Sequence, residues 1–239
     1  MSAPGTRLLG SEAIAEGTRA FHFARPDGFS FKAGQAIDVL LGGAASATDT
    51  NRHTFSVASA PFEDRLTVAT RMRDSAFKRA LAALPAGAAV ILEGPSGSLT
   101  LHGDASRPAV FIAGGIGITP FMSILRQAAR DRPARRLLLL YANHRPEDAA
   151  WLEELQALER GWPDFRLLPV MTAMNRSSQS WSGLAGRIDA DMLKSAGGGL
   201  SRPVYYAAGA PGMVAAMRAV LNDCGVEDDD IRSEDFHGY

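Results

Sequence analysis

The sequence predicts two domains of different class, a strand-rich N-terminal half and an α/β C-terminal half. Up to about His102, short β-type runs alternate with turn residues, which is typical of a small β-barrel or sandwich. From Arg107 onward, short apolar runs alternate with helical patterns, as in a parallel sheet with helices on both faces. We therefore expect domains at residues 1–104 and 105–239.

The N-terminal half contains four β-type runs and one short helix. The helix starts after Asp74 or Ser75 as N-cap, continues as AFKRALAAL and stops at Pro85. The segment GGAASATDTN, residues 42–51, is expected to be a mobile loop. The predicted strands are RAFHFAR, QAIDVLL, RLTVATRM and AAVILEG.

The C-terminal half alternates between buried strands and helices. Its first helix, TPFMSILRQAAR, is predicted to use Thr119 as N-cap, and AGGGLSRP, residues 196–203, reads as a surface loop. The predicted strands are PAVFIAG, RRLLLLYAN, FRLLPVMT and PVYYAAG. The other predicted helices are EDAAWLEELQALER and PGMVAAMRAVLNDCG, the latter ending at Gly225.

The composition excludes several classes of protein. The formal net charge of −1 gives no electrostatic footprint for nucleic acid or an anionic membrane surface. The single cysteine, Cys224, excludes an intrachain disulfide and a cluster held by several cysteines. The N-terminus lacks the order of a signal peptide, and no apolar run reaches the length of a membrane span. We expect a cytoplasmic protein with neither nucleic-acid nor membrane partners, and the oligomeric state stays open.

The segment FIAGGIGITPF, residues 111–121, places glycines between a predicted strand and a helix N-terminus. Free N–H groups and the helix dipole make such a turn suitable for an anion. The spacing differs from the usual dinucleotide fingerprint, so this motif alone fits either a tight turn or a phosphate site.

Six motifs in fixed order resemble the ferredoxin–NADP reductase family, in its compact form without a fused ferredoxin or oxygenase module. The motifs are FSFKAGQ (29–35), TFSVASAP (54–61), EGPSG (93–97), AGGIGITP (113–120), YYAAGAPGMV (205–214) and EDFHGY (234–239). The resemblance implies an antiparallel β-barrel that binds FAD, an NAD(P)-binding domain after it, and the flavin between them.

The resemblance also implies the reaction. NAD(P)H delivers hydride to flavin N5, and the flavin passes electrons on one or two at a time. Because no electron-carrier module is attached, the acceptor is a separate partner; a ferredoxin, a flavodoxin and free flavin are candidates. Two alternatives are a non-catalytic subunit docked on a larger complex and a nucleotide-binding protein without redox activity.

In the family, an arginine holds the flavin pyrophosphate; here His53 occupies that position, and Arg52 precedes it on the opposite strand face. Phe55 is expected to pack on the flavin ring or ribose, and the hydroxyl of Ser56 to bond near N5 as a catalytic group. The residues that the resemblance places at the flavin are Arg52, His53, Thr54, Phe55, Ser56, Ser59, Thr70, Arg71, Met72 and Ser75.

The resemblance assigns the nicotinamide nucleotide to Gly115, Gly117 and Thr119, and to the second turn at Gly209 and Pro211. Ala208 and Ala210 stand where the family often has a cysteine and a proline.

Three further assignments concern the coenzyme and the C-terminus. Arg145, near the 2′ position of the nucleotide, favours NADPH, whereas Glu147 and Asp148 oppose it. At the C-terminus, Phe236 and Tyr239 are candidates to cover the flavin, and Glu234 to relay protons near N5. The alternative for these last residues is a frayed tail.

Overall fold

A computed structural model describes residues 5–42 and 51–237. Most of the predicted loop at 42–51 lies outside this described part of the chain. The chain divides into two compact units. The first takes residues up to Thr100 together with Thr119–Gln127, and the second takes Leu101–Ile118 and the residues from Ala128 onward.

The first unit is an antiparallel β-barrel. Its strands are β1 (Gly5–Ala15), β2 (Thr18–Ala24), β3 (Ala36–Leu40), β4 (Arg52–Ser56), β5 (Arg65–Arg71) and β6 (Ala89–Ser96). They pair in the order β4-β3-β6-β1-β2-β5, every pair antiparallel. An isolated bridge between Val57 and Val68 joins the two end strands and closes the sheet. Because the sheet closes on itself, the unit is a barrel and not a sandwich, the two alternatives that the sequence left open.

A short helix in this half of the sequence packs against the barrel. Helix α1 (Ala76–Ala83) is capped by Ser75, whose Oγ accepts the Lys78 main-chain N–H at 3.2 Å. Ser75 rather than Asp74 is therefore the N-cap. Phe77 and Leu81 face the core of the barrel, where they join Phe55 and aromatic residues of β2. Burial of these apolar side chains holds the helix against the strands.

The second unit is a parallel sheet. Its strands are β7 (Ala109–Gly114), β8 (Leu137–Asn143), β9 (Phe165–Met171), β10 (Leu184–Ala185), β11 (Val204–Gly209) and β12 (Ile231–Asp235). They pair in the order β10-β9-β8-β7-β11-β12, every pair parallel. The helices of this half of the sequence are α2 (Ile118–Asp131), α3 (Leu152–Gly161), α4 (Ala190–Gly197) and α5 (Pro211–Asp223). The predicted two-domain fold class is confirmed.

The strand order creates a switch point. From β7 the chain moves outward to β8 and β9, and it later returns to β11 on the other side of β7. In open parallel sheets, ligands bind outside the carboxyl ends of the strands at such a reversal. The carboxyl ends of β7 and β11 are therefore the place to look for a site.

Two helix starts and several further elements differ from the sequence-based expectation. Helix α2 begins at Ile118 with Gly117 as N-cap, so Thr119 lies inside the first turn and is not the cap. Helix α3 begins at Leu152 rather than near Glu147, because Trp151 takes the left-handed conformation with φ of 55° and interrupts the helical path. Helix α4 and strands β1, β10 and β12 were not predicted.

Within residues 5–42 and 51–237, no helix has the length and apolar character needed to cross a bilayer.

Candidate functional site

Two strand-to-helix turns touch at the carboxyl ends of β7 and β11. A Cβ placed on Gly117 would lie 2.2 Å from the carbonyl oxygen of Ala208 and 2.7 Å from the nitrogen of Gly209. These neighbours are main-chain atoms, which cannot rotate away as a side chain could. Only glycine fits at position 117, and the predicted residues Gly117 and Gly209 are brought together.

Gly115 has a different reason to be glycine. Its φ of 54° is left-handed, and a Cβ there would meet no atom within 4 Å. The turn therefore has an open side at Gly115. A 3₁₀ turn at Gly115–Gly117 runs directly into α2, and no side chain caps either, so the free N–H groups at the start of this turn suit an anion. Thr119 is buried, with 2% of its surface exposed.

The second turn has the same design. Helix α5 follows β11 directly, with Ala210 as N-cap, Pro211 in the first turn and no side-chain cap. The side chain of Met213 lies over the first turn, with its Sδ 3.3 Å from where a Cβ of Gly114 would be. Sequence reasoning gave Met213 no role, although it lies inside the quoted motif YYAAGAPGMV.

The C-terminal segment runs along the same edge. Strand β12 pairs with β11 so that Glu234 lies beside Ala208. The Phe236 N–H then donates to the Gly209 carbonyl at 2.9 Å. Glu234 and half-buried Phe236 are therefore held next to the second glycine turn, and the alternative of a frayed tail is wrong up to Phe236. Tyr239 lies outside the described residues.

The loop after β8 contains the predicted coenzyme-reading residue. Arg145 donates through Nε and Nη2 to the two carboxylate oxygens of Asp148, each at 3.0 Å, and Asp148 is 8% exposed. Its Nη1 reaches the Arg176 carbonyl at 3.4 Å. A bidentate pair with a buried carboxylate occupies one edge of the guanidinium. That edge of Arg145 is not available to a phosphate in this conformation.

Glu147, in the same loop, is a fixed anion. Its carboxylate accepts hydrogen bonds from the Ser177 hydroxyl, and from the main-chain N–H and hydroxyl of Ser178, at 2.8–2.9 Å. A hydrogen bond from its own main chain, followed by those from the two serines, lowers the pKa of Glu147 to about 2. Glu147 is therefore ionised at neutral pH and bridges the loops after β8 and β9.

In the barrel, β4 sends alternate side chains to opposite faces. Arg52 and Thr54 both bind the carboxylate of Asp38, and Arg52 also pairs with Glu93 at 2.9 Å. The guanidinium of Arg52 is thus paired with these two carboxylates on its own face of the sheet. The structure does not bring Arg52 and Thr54 together with His53 and Phe55.

The other face of β4 presents rings to helix α1. The His53 ring centroid lies 4.6 Å from that of Phe55 and 5.4 Å from that of Phe77, and the two phenylalanine rings are 5.9 Å apart. Phe55 is 6% exposed and belongs to the barrel core. Burial, then the charge of Lys78, lowers the pKa of His53. The described contacts of Phe55 are core packing.

Ser56 and Ser59 are both buried, at 6% and 0% exposed. The Ser59 hydroxyl accepts the Thr67 N–H at 3.0 Å, and its carbonyl accepts the Ser123 hydroxyl at 2.6 Å. The side chain of Ser59 is therefore used in closing the barrel beside the Val57–Val68 bridge.

The segment from β5 into α1 carries the remaining predicted residues. The Thr70 hydroxyl donates to the Arg71 carbonyl at 3.2 Å, and Met72 packs against the barrel core. Ser75 caps α1. Sequence reasoning missed Lys78 in the first turn of that helix; burial of a lysine depends on tertiary packing and has no signal in the local sequence.

The arrangement suits the groups that the resemblance implies. The uncapped turn Gly115–Gly117 that leads into α2, with its open side at Gly115, suits a dinucleotide pyrophosphate, because N–H groups and the helix dipole bind anions. In the barrel, the start of α1 after its N-cap Ser75 suits a flavin diphosphate for the same reason.

Comparisons with known proteins agree with the fold. The profile of the oxidoreductase NAD-binding domain matches residues 111–219, which contain the turns at Gly115 and Gly209. A ferredoxin–NADP reductase B from Sorangium cellulosum is 33% identical over 77% of this chain and 75% of its own length.

Two further matches are more distant. The reductase component 2 of a Comamonas terephthalate 1,2-dioxygenase is 28% identical over 87% of this chain, which spans 58% of that protein. A Neisseria gonorrhoeae ferredoxin NADP+ reductase, solved with bound FAD and NADP, superimposes with a TM-score of 0.80 at 24% identity, covering 97% of this chain and 98% of that one. Its likeness supports the fold. From its two glycine turns, its barrel and these relatives, we conclude that the chain belongs to the ferredoxin–NADP reductase-like family of oxidoreductases.

Proposed function

We propose that this chain is an FAD-dependent reductase that takes hydride from NAD(P)H and passes electrons to a separate acceptor. We assign FAD to residues 1–104 and the nicotinamide nucleotide to residues 105–239. The observation that carries the proposal is the contact between the two glycine turns, with Gly117 packed on Ala208 at the switch point of the parallel sheet.

The residues of the second unit have distinct roles in this proposal. Gly115, Gly117 and the start of α2 bind the pyrophosphate of the nucleotide, together with Thr119. Gly209 and Pro211 shape the second turn, which positions the nicotinamide, because hydride transfer depends on distance and orientation. Glu234 is assigned the relay of protons near the reacting flavin atom as a general acid, and one of the two aromatics Phe236 and Tyr239 is assigned the cover of the flavin face.

The residues of the barrel hold the flavin. FAD, when bound, accepts the hydride and releases electrons singly or in pairs. The Ser56 hydroxyl serves as a catalytic hydrogen-bond donor near the reacting atom, and Phe55 lies against the ring or ribose. The segment Ser59, Thr70, Arg71, Met72 and Ser75 lines the site through its main chain, since several of these side chains bond within the barrel.

The coenzyme preference follows from the loop after β8. The sequence-based preference for NADPH depends on Arg145, whose bidentate edge is occupied by Asp148. The ionised Glu147 beside it repels a 2′-phosphate and can accept a hydrogen bond from a ribose hydroxyl. These contacts favour NADH as the hydride donor.

The acceptor is a separate electron carrier. A small iron–sulfur or flavin protein such as a ferredoxin or flavodoxin, or free flavin itself, would meet the requirement. The match to a dioxygenase reductase component supports transfer to another protein.

The test is an anaerobic absorbance titration of the FAD-loaded protein with NADH and with NADPH separately. We expect loss of the oxidised-flavin band with both, at lower concentration for NADH. If FAD binds but neither coenzyme bleaches it, the chain is instead a docked, non-catalytic subunit. If FAD does not bind, the flavin assignment is wrong and the glycine turns serve another nucleotide or none.

A further inference from the structure

Gly114, the last residue of β7, has no backbone reason to be glycine. Its φ of −113° and ψ of 115° are extended, a conformation that any residue adopts. The constraint comes from a side chain instead. A Cβ at this position would lie 3.3 Å from Sδ, 3.4 Å from Cε and 3.5 Å from Cγ of Met213. The missing side chain of Gly114 therefore leaves a hollow that the thioether of Met213 fills.

Met213 reaches this hollow from the second turn. It is the third residue of α5, and its N–H donates to the Ala210 carbonyl at 2.9 Å. Its partly buried side chain also packs against the hydrophobic core of the parallel sheet. Methionine is unbranched and polarizable, so it fits irregular gaps of this kind. One side chain thus connects the start of α5 with the end of β7.

The backbone of the second turn rests on the same glycine. A Cβ on Gly209 would lie 3.1 Å from the Gly114 carbonyl oxygen and 3.3 Å from its Cα and nitrogen. The residue after Gly114 is Gly115, where the first turn has its open side, and consecutive Cα atoms are only about 3.8 Å apart. A shift of Gly114 therefore moves the turn that is assigned to the nucleotide pyrophosphate.

We propose that Met213 is a positioning residue for hydride transfer: its thioether, seated on Gly114, holds the first glycine turn at a fixed distance from the second. This inference rests on the proposed function, in which the first turn binds the pyrophosphate and the second positions the nicotinamide. Met213 acts through Gly114 and does not need to touch the coenzyme. Hydride transfer depends steeply on the distance and orientation of the reacting atoms, whereas the attraction of a turn for an anion falls off gradually. Loosening the first turn therefore slows the chemical step more than it weakens coenzyme binding.

The experiment measures single-turnover reduction of the bound FAD by NADH in wild type, Met213→Ala and the control Met192→Ala. Met192 lies on α4, is also partly buried and packs against the same core, so the control removes the same atoms elsewhere in this unit. Stopped-flow absorbance at several NADH concentrations separates the rate constant of reduction from the dissociation constant of NADH. We expect Met213→Ala to lower the rate constant about 10-fold and to change the dissociation constant less than about 3-fold, since a loosened turn costs less than the about 100-fold of a full 1 Å misplacement. Met192→Ala should reduce its flavin at the wild-type rate.

A double-mutant cycle tests the contact itself. The methyl group of Gly114→Ala would lie 3.3 Å from the Met213 Sδ, closer than ordinary van der Waals contact, and should displace the thioether and slow reduction as well. When Gly114→Ala is combined with Met213→Ala, the methyl group has room in the hollow. The double variant should therefore be no slower than the slower single variant, because the two substitutions disrupt one shared contact.

The FAD content and thermal midpoint of each variant are measured alongside the rates. A lower midpoint of Met213→Ala with an unchanged rate constant would show that Met213 only stabilises the fold. The inference is also wrong if Met192→Ala slows reduction equally, or if the two substitutions of the cycle multiply in their effects. Should Met213→Ala not fold, Gly114→Ala decides alone, and a wild-type rate in that variant overturns the inference. In all these cases the reductase function still holds, whereas wild type whose bound FAD is reduced by neither coenzyme would refute the proposed function and this inference together.

Discussion

Replacing Gly117 with alanine tests whether the contact between the two glycine turns forms the nucleotide site. The new Cβ would lie 2.2 Å from the Ala208 carbonyl oxygen, whereas real Cβ atoms essentially never approach closer than 3.0 Å. One of the two turns must therefore move by about 0.8 Å, the difference between these distances.

The magnitude follows from that displacement. Forced overpacking costs about 1–3 kcal/mol, and more where the neighbour is main chain. A cost of about 2–3 kcal/mol corresponds to a midpoint lower by about 4–12 °C for a chain of this size. A misplacement of about 1 Å at a positioning group costs about 100-fold in rate. We expect Gly117→Ala to lower kcat/KM for the nicotinamide coenzyme about 100-fold while FAD binds as before.

The assay is steady-state reduction of an artificial acceptor by NADH, combined with scanning calorimetry of the FAD-loaded protein. The matched control is Gly161→Ala at the end of α3, where a Cβ would meet no atom within 4 Å. That variant should keep its activity and have the same midpoint or one up to about 2–4 °C higher, because alanine favours a helix over glycine by up to about 1 kcal/mol. If Gly117→Ala loses stability but keeps kcat/KM, the turns are packing features only and the site assignment is wrong.

Three other predictions follow from single contacts. Glu147→Gln removes a charge that is ionised at neutral pH, so kcat/KM for NADPH relative to NADH should rise about 3- to 10-fold; an unchanged ratio would remove Glu147 from coenzyme selection. Ser75→Ala deletes the N-cap of α1 and should cost about 1 kcal/mol in a urea titration, with no loss if water replaces the cap. Burial lowers the pKa of His102, whose ring nitrogens bond the Tyr206 hydroxyl and a main-chain carbonyl. Below about pH 6.5 the unfolded chain therefore takes up a proton that the folded chain resists. The free energy of unfolding should decrease as the pH is lowered through this range, and it should decrease less in His102→Gln.

Local patterns were sufficient for the fold. Strands β7 and β8 are buried on both faces of a parallel sheet, so apolar and polar residues do not alternate along them. The helix between these two apolar runs is what indicated an α/β domain. The same local rules placed the start of α3 too early, because no residue around Trp151 indicates that its φ is 55°. Helix α4 was missed because its glycine-rich end was taken as part of a loop.

Sequence reasoning located only those parts of the candidate site that consist of glycines at the carboxyl ends of strands. Gly115, Gly117 and Gly209 lie where a turn after a buried strand must place them. The contacts of Arg145 and Glu147 could not be predicted, because their partners depend on how two loops fold back on each other. Burial of Lys78 and the core packing of Phe55 likewise depend on how α1 docks on the barrel. The roles of Ser56, Glu234 and Tyr239 stay predictions.

The closure of the barrel has a consequence for its internal motion. Strands β4 and β5 meet through the Val57–Val68 bridge and the Ala58 N–H, which donates to the Thr67 carbonyl at 2.7 Å. Long ladders protect amide hydrogens better than short ones, since opening them breaks more bonds together. The amides at this seam should therefore exchange with deuterium before those of the long β1–β2 ladder. Because the seam continues directly from the strand assigned to the flavin, slower exchange there would report cofactor binding without any need for colour or turnover.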